Sequence, residues 1–331
     1  MPFARRAAAL SLVALALAGP ARAEEAAPAE QPAPAPVTVA ATAIVEHPAL
    51  DAVREGLKEA LAEAGYVEGE NLTFLFESAQ GSPATAAQIA RRLVGAAPDV
   101  IVPISTPSAQ AVLAVTEGIP VVFTAVTDPV GAKLVLDPQR PGANVTGMSD
   151  LSPIGKHLDL IREILPEAQT LGVIYNPGEA NSLTLIELLK AEAPARGFTL
   201  REAPAPKSAD VLPAAQSLVG NVDAVYVPTD NTVVTALEAI VQVGRQNRLP
   251  VFAGDTDSVP RGAIAALGFN YRDVGRQTGA IVLRVLQGEH AGAIPVEGVE
   301  ITELFVNPAA AEAMGVTLPE PVLARAKTVV Q

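Results

Sequence analysis

The chain contains no cysteine. Disulfides are therefore excluded, and a fold outside the cytoplasm must rest on core packing alone. A cysteine nucleophile and a lipid-anchoring cysteine are excluded with them. Aromatic residues make up only 4% of the chain, too few for extensive aromatic stacking around a ligand. The three histidines, His47, His157 and His290, have no HExxH-like spacing and no neighbouring ligand set. No G-x-S-x-G elbow, Walker loop or G-x-G-x-x-G phosphate loop is present. Enzyme activity, a metal and a cofactor are therefore not expected. Basic residues are outnumbered, 23 against 36 acids. A field of that sign repels nucleic acid and anionic lipid headgroups, so no nucleic-acid partner is expected.

What is present begins with an export pattern. Arg5 and Arg6 precede an apolar run from Ala7 to Gly19, and Ala21-Arg22-Ala23 has the small-residue form of a cleavage site. This is the three-part layout of a secretory signal peptide over residues 1–23. Cleavage after Ala23 would take three arginines and no acids, moving the net charge from −13 to about −16. Residues 24–36 are a low-complexity Ala/Pro/Glu leader, expected to be disordered. No later stretch is long and apolar enough to span a bilayer. The mature protein is expected to be free in the periplasm.

A length of 331 residues suggests two domains. From Val37 onward, Val/Ile/Leu-rich strands alternate with amphipathic helices. Strands are predicted at Val37–Ile44, Leu72–Phe76, Val100–Ile104 and Val121–Thr124, with helices at Pro48–Gly65, Ser82–Gly95 and Pro107–Thr116. After a loop and a helix at Ile154–Leu165 the alternation resumes. Strands at Thr170–Tyr175, Thr199–Glu202, Ala224–Pro228, Pro250–Ala253 and about Ile264–Phe269 interleave with helices at Ser182–Arg196, Asp210–Leu218 and Asn231–Gln246. A further helix follows at Tyr271–Leu286. Such alternation specifies parallel sheets built from βαβ units.

The chain also echoes itself. PDVIVPISTPSAQAV (Pro98–Val112) is similar to VDAVYVPTDNTVVTA (Val222–Ala236), and IPVVFTAVTDPV (Ile119–Val130) to LPVFAGDTDSV (Leu249–Val259). Two lobes of one topology account for the echo, as does the common Val-rich texture of α/β strands. The expected lobes are 37–148 plus about 271–290, and 149–270 plus about 300–331.

Ligands of parallel α/β sheets lie beyond the carboxyl ends of the strands. The residues there are polar: Glu46 and His47, Ser105 and Thr106, Thr127 and Asp128, Asn176 through Ser182, Thr229 through Asn231, and Gly254 through Asp257. Free N–H groups of helix N-termini attract a carboxylate, and the acidic side chains suit an ammonium group. Together they meet the needs of an α-amino acid. The same residue types also serve as ordinary helix caps. Tyr175 or Tyr226 is available to line the site.

Four segments resemble a known family. They are EHPALDAVREGLKEALAEAGYVEGENL (Glu46–Leu72), PGANVTGMSD (Pro141–Asp150), YNPGEANS (Tyr175–Ser182) and VNPAAAEAMGVTLPEPVLARA (Val306–Ala326). In this order they are similar to the ABC transporter substrate-binding family that includes the TrpX-type tryptophan/tyrosine-binding proteins. The resemblance implies a type I periplasmic-binding fold: two Rossmann-like lobes with parallel sheets, joined by a three-crossover hinge. It implies cleft residues Glu46, Ser105, Thr106, Thr127 and Asp128 from the first lobe. From the second it implies Asn176, Glu179, Asn181, Ser182, Asp230 and Asp255. His47 is added from its place in the first loop. The implied ligand is a small molecule, an aromatic or branched amino acid or a relative of one. The implied partners are an ABC permease in the inner membrane and its cytoplasmic ATPase. A monomer is expected. A sensory receptor of the same fold, or a binder of a nucleoside or another small organic solute, remains open at this point.

Overall fold

The structure, a computed structural model, describes residues 34–330. The expected signal peptide (1–23) and residues 24–33 of the leader lie outside the described residues.

The first half of the chain builds one sheet. Its strands are β1 (Val37–Ala43), β2 (Leu72–Ser78), β3 (Val100–Ile104), β4 (Val121–Val126) and β5 (Val145–Ser149). Helices α1 (Pro48–Glu63), α2 (Pro83–Gly95) and α3 (Thr106–Leu113) connect them. The second half repeats the plan. After α4 (Ile154–Ile164) come β6 (Thr170–Tyr175), α5 (Ala180–Glu192), β7 (Thr199–Pro204), α6 (Val211–Leu218) and β8 (Ala224–Val227). Helices α7 (Asn231–Thr235) and α8 (Leu237–Asn247) follow, then β9 (Val251–Ala253) and β10 (Ala265–Gly268). The chain closes with α9 (Tyr271–Leu286), β11 (Glu297–Gly298), β12 (Glu303–Val306), α10 (Pro308–Ala313), α11 (Glu320–Arg325) and β13 (Thr328–Val329).

The strand orders are β11-β5-β4-β3-β1-β2 and β13-β12-β10-β9-β8-β6-β7. β3 and β8 hold the same place in their sheets, as do β4 and β9, so the internal echo marks equivalent strands. β3, β4, β8 and β9 are buried on both faces. That explains their unbroken apolar sequences, since helices cover both sides of a parallel sheet. Each lobe has its own hydrophobic core.

Three crossovers join the lobes, at 150–153, at 269–270 and at 299–302. The second returns α9 to lobe 1, where it packs on α1. A methyl group at Gly56 would collide with the backbone carbonyl of Arg272, and one at Gly275 with that of Val53. Only glycine permits so close a helix pair. Arg276 reinforces the register through Glu59 at 3.3 Å and Glu63 at 2.7 Å, and Arg272 also pairs with Glu59.

Several sequence expectations are corrected. β5 falls in a stretch read as loop; five residues carrying a Gly and a Ser give little strand signal. The helix expected over Asn231–Gln246 is two helices that break at Ala236. β12 runs antiparallel to β10, against an all-parallel expectation. Lobe 1 continues past 290, because Ala291 and Ile294 join its core and β11 pairs with β5.

Candidate functional site

Between the lobes lies a small cavity. Lobe 1 contributes His47, Ala49 and Leu50 from the start of α1, and Ala125 and Thr127 from the end of β4. Lobe 2 contributes Asn181, Thr229, Asn231, Val234 and Asp255. The first crossover supplies Asp150, and the start of α9, directly after the second, supplies Tyr271.

These two residues are bonded to each other. Tyr271 donates its hydroxyl to Oδ2 of Asp150 at 2.8 Å, and Thr127 donates to Oδ1 at 3.4 Å. Burial pushes the Asp150 carboxyl up, although the Tyr271 bond opposes the shift. Burial and then the Asp150 charge hold the Tyr271 hydroxyl well above its usual range, so it remains a donor.

On lobe 1, His47 precedes α1 without capping it by its side chain. Burial, then the charge of Arg261, lowers its imidazole to about 3, so it is neutral. Its Nδ1 is buried without a hydrogen-bond partner. The pairing of β4 with β5 shifts register between Phe123 and Val126, and Ala125 takes a left-handed φ of 51° there. Ser105, ahead of α3, has φ 80° and ψ 157°. For a residue with a Cβ that region costs on the order of 1–3 kcal/mol.

On lobe 2 the side chains are tied together. Asp230 caps α7 by accepting from Val233 N–H at 2.9 Å. Its other oxygen accepts from the Asn176 N–H at 2.5 Å and the Ser182 hydroxyl at 2.6 Å. Glu179 accepts from Asn231 and Thr232, from both their backbone N–H groups and their side chains. Burial and the Glu179 charge push the Asp230 carboxyl upward. Asp255 accepts from the N–H and the hydroxyl of Ser258, at 2.8 and 2.7 Å. Burial pushes its carboxyl up too.

Of the residues expected from sequence, His47, Thr127, Asn181 and Asp255 line this cavity. The other eight do not, for identifiable reasons. Asn176, Glu179, Ser182 and Asp230 spend their polar atoms on each other and on α7. Ser105 and Thr106 are buried at the start of α3, and the Thr106 hydroxyl has no partner. Asp128 forms a turn, accepting from Val130 and Gly131 N–H at 3.1 and 2.9 Å. Glu46 is exposed; it accepts from Gln80 and lines a neighbouring groove with Lys207 and Thr232. Neither expected tyrosine lines the cavity. Tyr175 donates to Glu202, and the fully buried Tyr226 hydroxyl meets His157 Nδ1 at 2.7 Å. Tyr271 is the aromatic side chain that does so. Asp150 was missed because it follows β5, the strand read as loop. Had β5 been recognised, Asp150 would have been read as a residue at a strand's carboxyl end.

A family model described as ABC transporter substrate binding protein matches residues 38–330. The chain belongs to that family. A tyrosine-binding protein from Clostridioides difficile (strain R20291) is 40% identical over 264 residues, 80% of this chain and 76% of the relative. An ABC domain in complex with L-Trp from Streptococcus pneumonia is 32% identical, with a TM-score of 0.87 over 89% of this chain and 100% of that one. A ligand-free, open substrate binding protein from Clostridium difficile is 38% identical but has a TM-score of 0.67, over 89% of this chain and 99% of that one. Type I solute-binding proteins at 15–17% identity share the fold alone, with TM-scores of 0.56–0.61.

The resemblance found in four sequence segments therefore holds, and the protein is an ABC transporter substrate-binding protein of the type I fold. Sequence identity favours the open structure, and shape favours the L-Trp complex. The structure superposes better on that complex than on the open structure, and its cavity is walled from both sides. Proteins of this family act outside the cytoplasm or in the periplasm, and no helix among the described residues is long and apolar enough to cross a membrane.

Proposed function

We propose that the ligand is a single L-amino acid with an aromatic side chain, held by its charged groups between the lobes and passed to an inner-membrane permease powered by a cytoplasmic ATPase. The observation that carries this is the chemistry of the cavity. Two buried carboxylates, Asp150 and Asp255, and Asn181, whose Oδ1 has no partner, line a space with no lysine or arginine in its walls. That set suits an ammonium group. The N-terminus of α1, with no side-chain cap, suits the carboxylate. Ala49, Leu50, Ala125 and Val234, with the ring of Tyr271, give the apolar surface a side chain needs. As the lobes stand, the cavity holds only ≈ 20 Å³, room for about one water, so an amino acid enters when the lobes part. A relative named for tyrosine and another solved with L-Trp agree with this polarity.

Only the closed form brings both lobes to the ligand, so binding shifts the population toward closure. No chemical step is performed. The export pattern of residues 1–23 delivers the chain to the periplasm, where it acts as a free monomer.

The test is calorimetric titration of the purified chain, unfolded and refolded to strip carried-over ligand, with L-tyrosine and L-tryptophan. At about a hundred times its dissociation constant, the bound amino acid stabilises the chain by about 2.7 kcal/mol, a shift of several degrees. Failure of every amino acid, with success of a nucleoside or sugar, would overturn the ligand assignment and leave the family standing.

A further inference from the structure

Two lobe 2 amides face the cavity, Asn181 and Asn231, and one carboxylate behind them holds both. Oε2 of Glu179 accepts from Asn231 Nδ2 at 2.6 Å and from Asn181 Nδ2 at 3.3 Å. Its Oε1 accepts from Thr232 Oγ1 at 2.7 Å. Asn181 Nδ2 also donates to the backbone carbonyl of Thr229 at 3.2 Å. A carboxylate and a carbonyl only accept, so the end of the Asn181 amide that meets them must be its NH₂. The orientation is thereby determined. Oδ1 is left on the other side, buried and without a partner in a residue only 3% exposed. A buried acceptor left unpaired is costly, and such groups are ordinarily satisfied.

We infer that Glu179 is a positioning residue that does not touch the ligand: by gripping the nitrogen of Asn181, it presents Oδ1 to the cavity as a fixed acceptor for a ligand N–H. The inference rests on the amino-acid reading, in which that N–H belongs to the ammonium group. A glutamine at 179 changes the logic. Its amide can donate to Asn181 as well as accept, so of the two groups that hold the NH₂ end inward only the Thr229 carbonyl still does, and the Asn181 amide is less firmly oriented. The selectivity for an amine over its des-amino analogue then falls.

The experiment compares the wild-type chain with Glu179→Gln. Calorimetry uses L-tyrosine and L-tryptophan against 3-(4-hydroxyphenyl)propionate and indole-3-propionate, which lack the amine. The variant should lose about tenfold or more in affinity for the amino acid, the scale of a hydrogen bond to a charged group. Its affinity for the des-amino acid should change less than about twofold. Equal losses on both ligands would assign Glu179 a purely structural role and overturn the inference. A second measurement needs neither ligand nor variant. In ¹⁵N-labelled wild-type protein, the Asn181 side-chain NH₂ signals should be shifted by the carboxylate and slow to exchange with water. Signals of a freely exchanging amide would also overturn it. If the chain bound no amino acid, the ligand reading would fail, and these signals would still decide the orientation.

Discussion

The two rims of the cavity are built by different means. Lobe 1 relies on backbone: Ala125 sits at positive φ, and α1 begins without a side-chain cap. Lobe 2 relies on side chains: Asp230 and Asp255 cap the turns that carry Thr229, Asn231 and Asp255 into the cavity, and Glu179 ties two loops together. One rim therefore offers backbone donors and the other offers acceptors. A zwitterion needs both. This is a physical reason for ligand to favour closure, since each half of the ligand is satisfied by a different lobe.

The sharpest way to break this comparison is Asp255→Ala. Removing the lobe 2 carboxylate should lower affinity for L-tyrosine or L-tryptophan about a hundredfold, roughly 2.7 kcal/mol, as read by calorimetry. Unchanged affinity would move the acceptor role elsewhere.

Acidification should act on the rims in opposite directions. Burial and Arg261 hold His47 at about 3 in the folded chain, against 6.5 when exposed. The unfolded chain therefore takes up that proton first. Its contribution to stability is lost as pH falls below about 6.5, amounting to about 2 kcal/mol at pH 5. Burial and then the Asp255 charge push Asp257 on lobe 2 up to about 6. Here the folded chain takes up the proton first, recovering about 1 kcal/mol between pH 7 and 5. The loss of melting temperature between pH 7 and 5 should thus be smaller in His47→Gln than in wild type, and larger in Asp257→Asn. The same direction of change in both variants would sink the assignment.

The backbone strain behind the lobe 1 rim, at Ser105, has its own test. Ser105→Gly relieves an unfavourable backbone conformation at some cost in unfolded-state entropy, a net gain of about 1 kcal/mol in denaturant unfolding. A loss of stability would show that the Ser105 hydroxyl, 3.5 Å from that of Ser108, matters more than the backbone. The smallest effect is expected from Thr127→Val. Asp150 keeps its bond from Tyr271, so removing one long hydrogen bond should weaken amino-acid binding by only about threefold. A larger loss would mean that the Thr127 hydroxyl itself meets the ligand.

Much of the framework was legible because its signals are local. Thr170–Tyr175 and Tyr271–Leu286 match the sequence expectation to the residue, and buried parallel strands announce themselves as apolar runs. The site was less legible because polar residues after strands have two uses. Asn176, Ser182 and Asp230 have the composition of a binding cluster, yet their atoms are consumed in bracing α7. A short polar side chain that caps and one that binds look alike until its partners are known.

By itself, the sequence determined the βαβ alternation, the internal echo and the family, since each depends on residue order and periodicity along the chain. Tertiary structure decided which side chains reach the cavity. Asp150 and Tyr271, 121 positions apart, meet only because the chain passes between the lobes beside both of them. Glu179 meets Asn231 across 52 positions, and the Asn181 acceptor is orphaned only because its nitrogen is already engaged. Hydrogen bonding is a property of positions in space, and chain folding, more than spacing along the sequence, sets those positions.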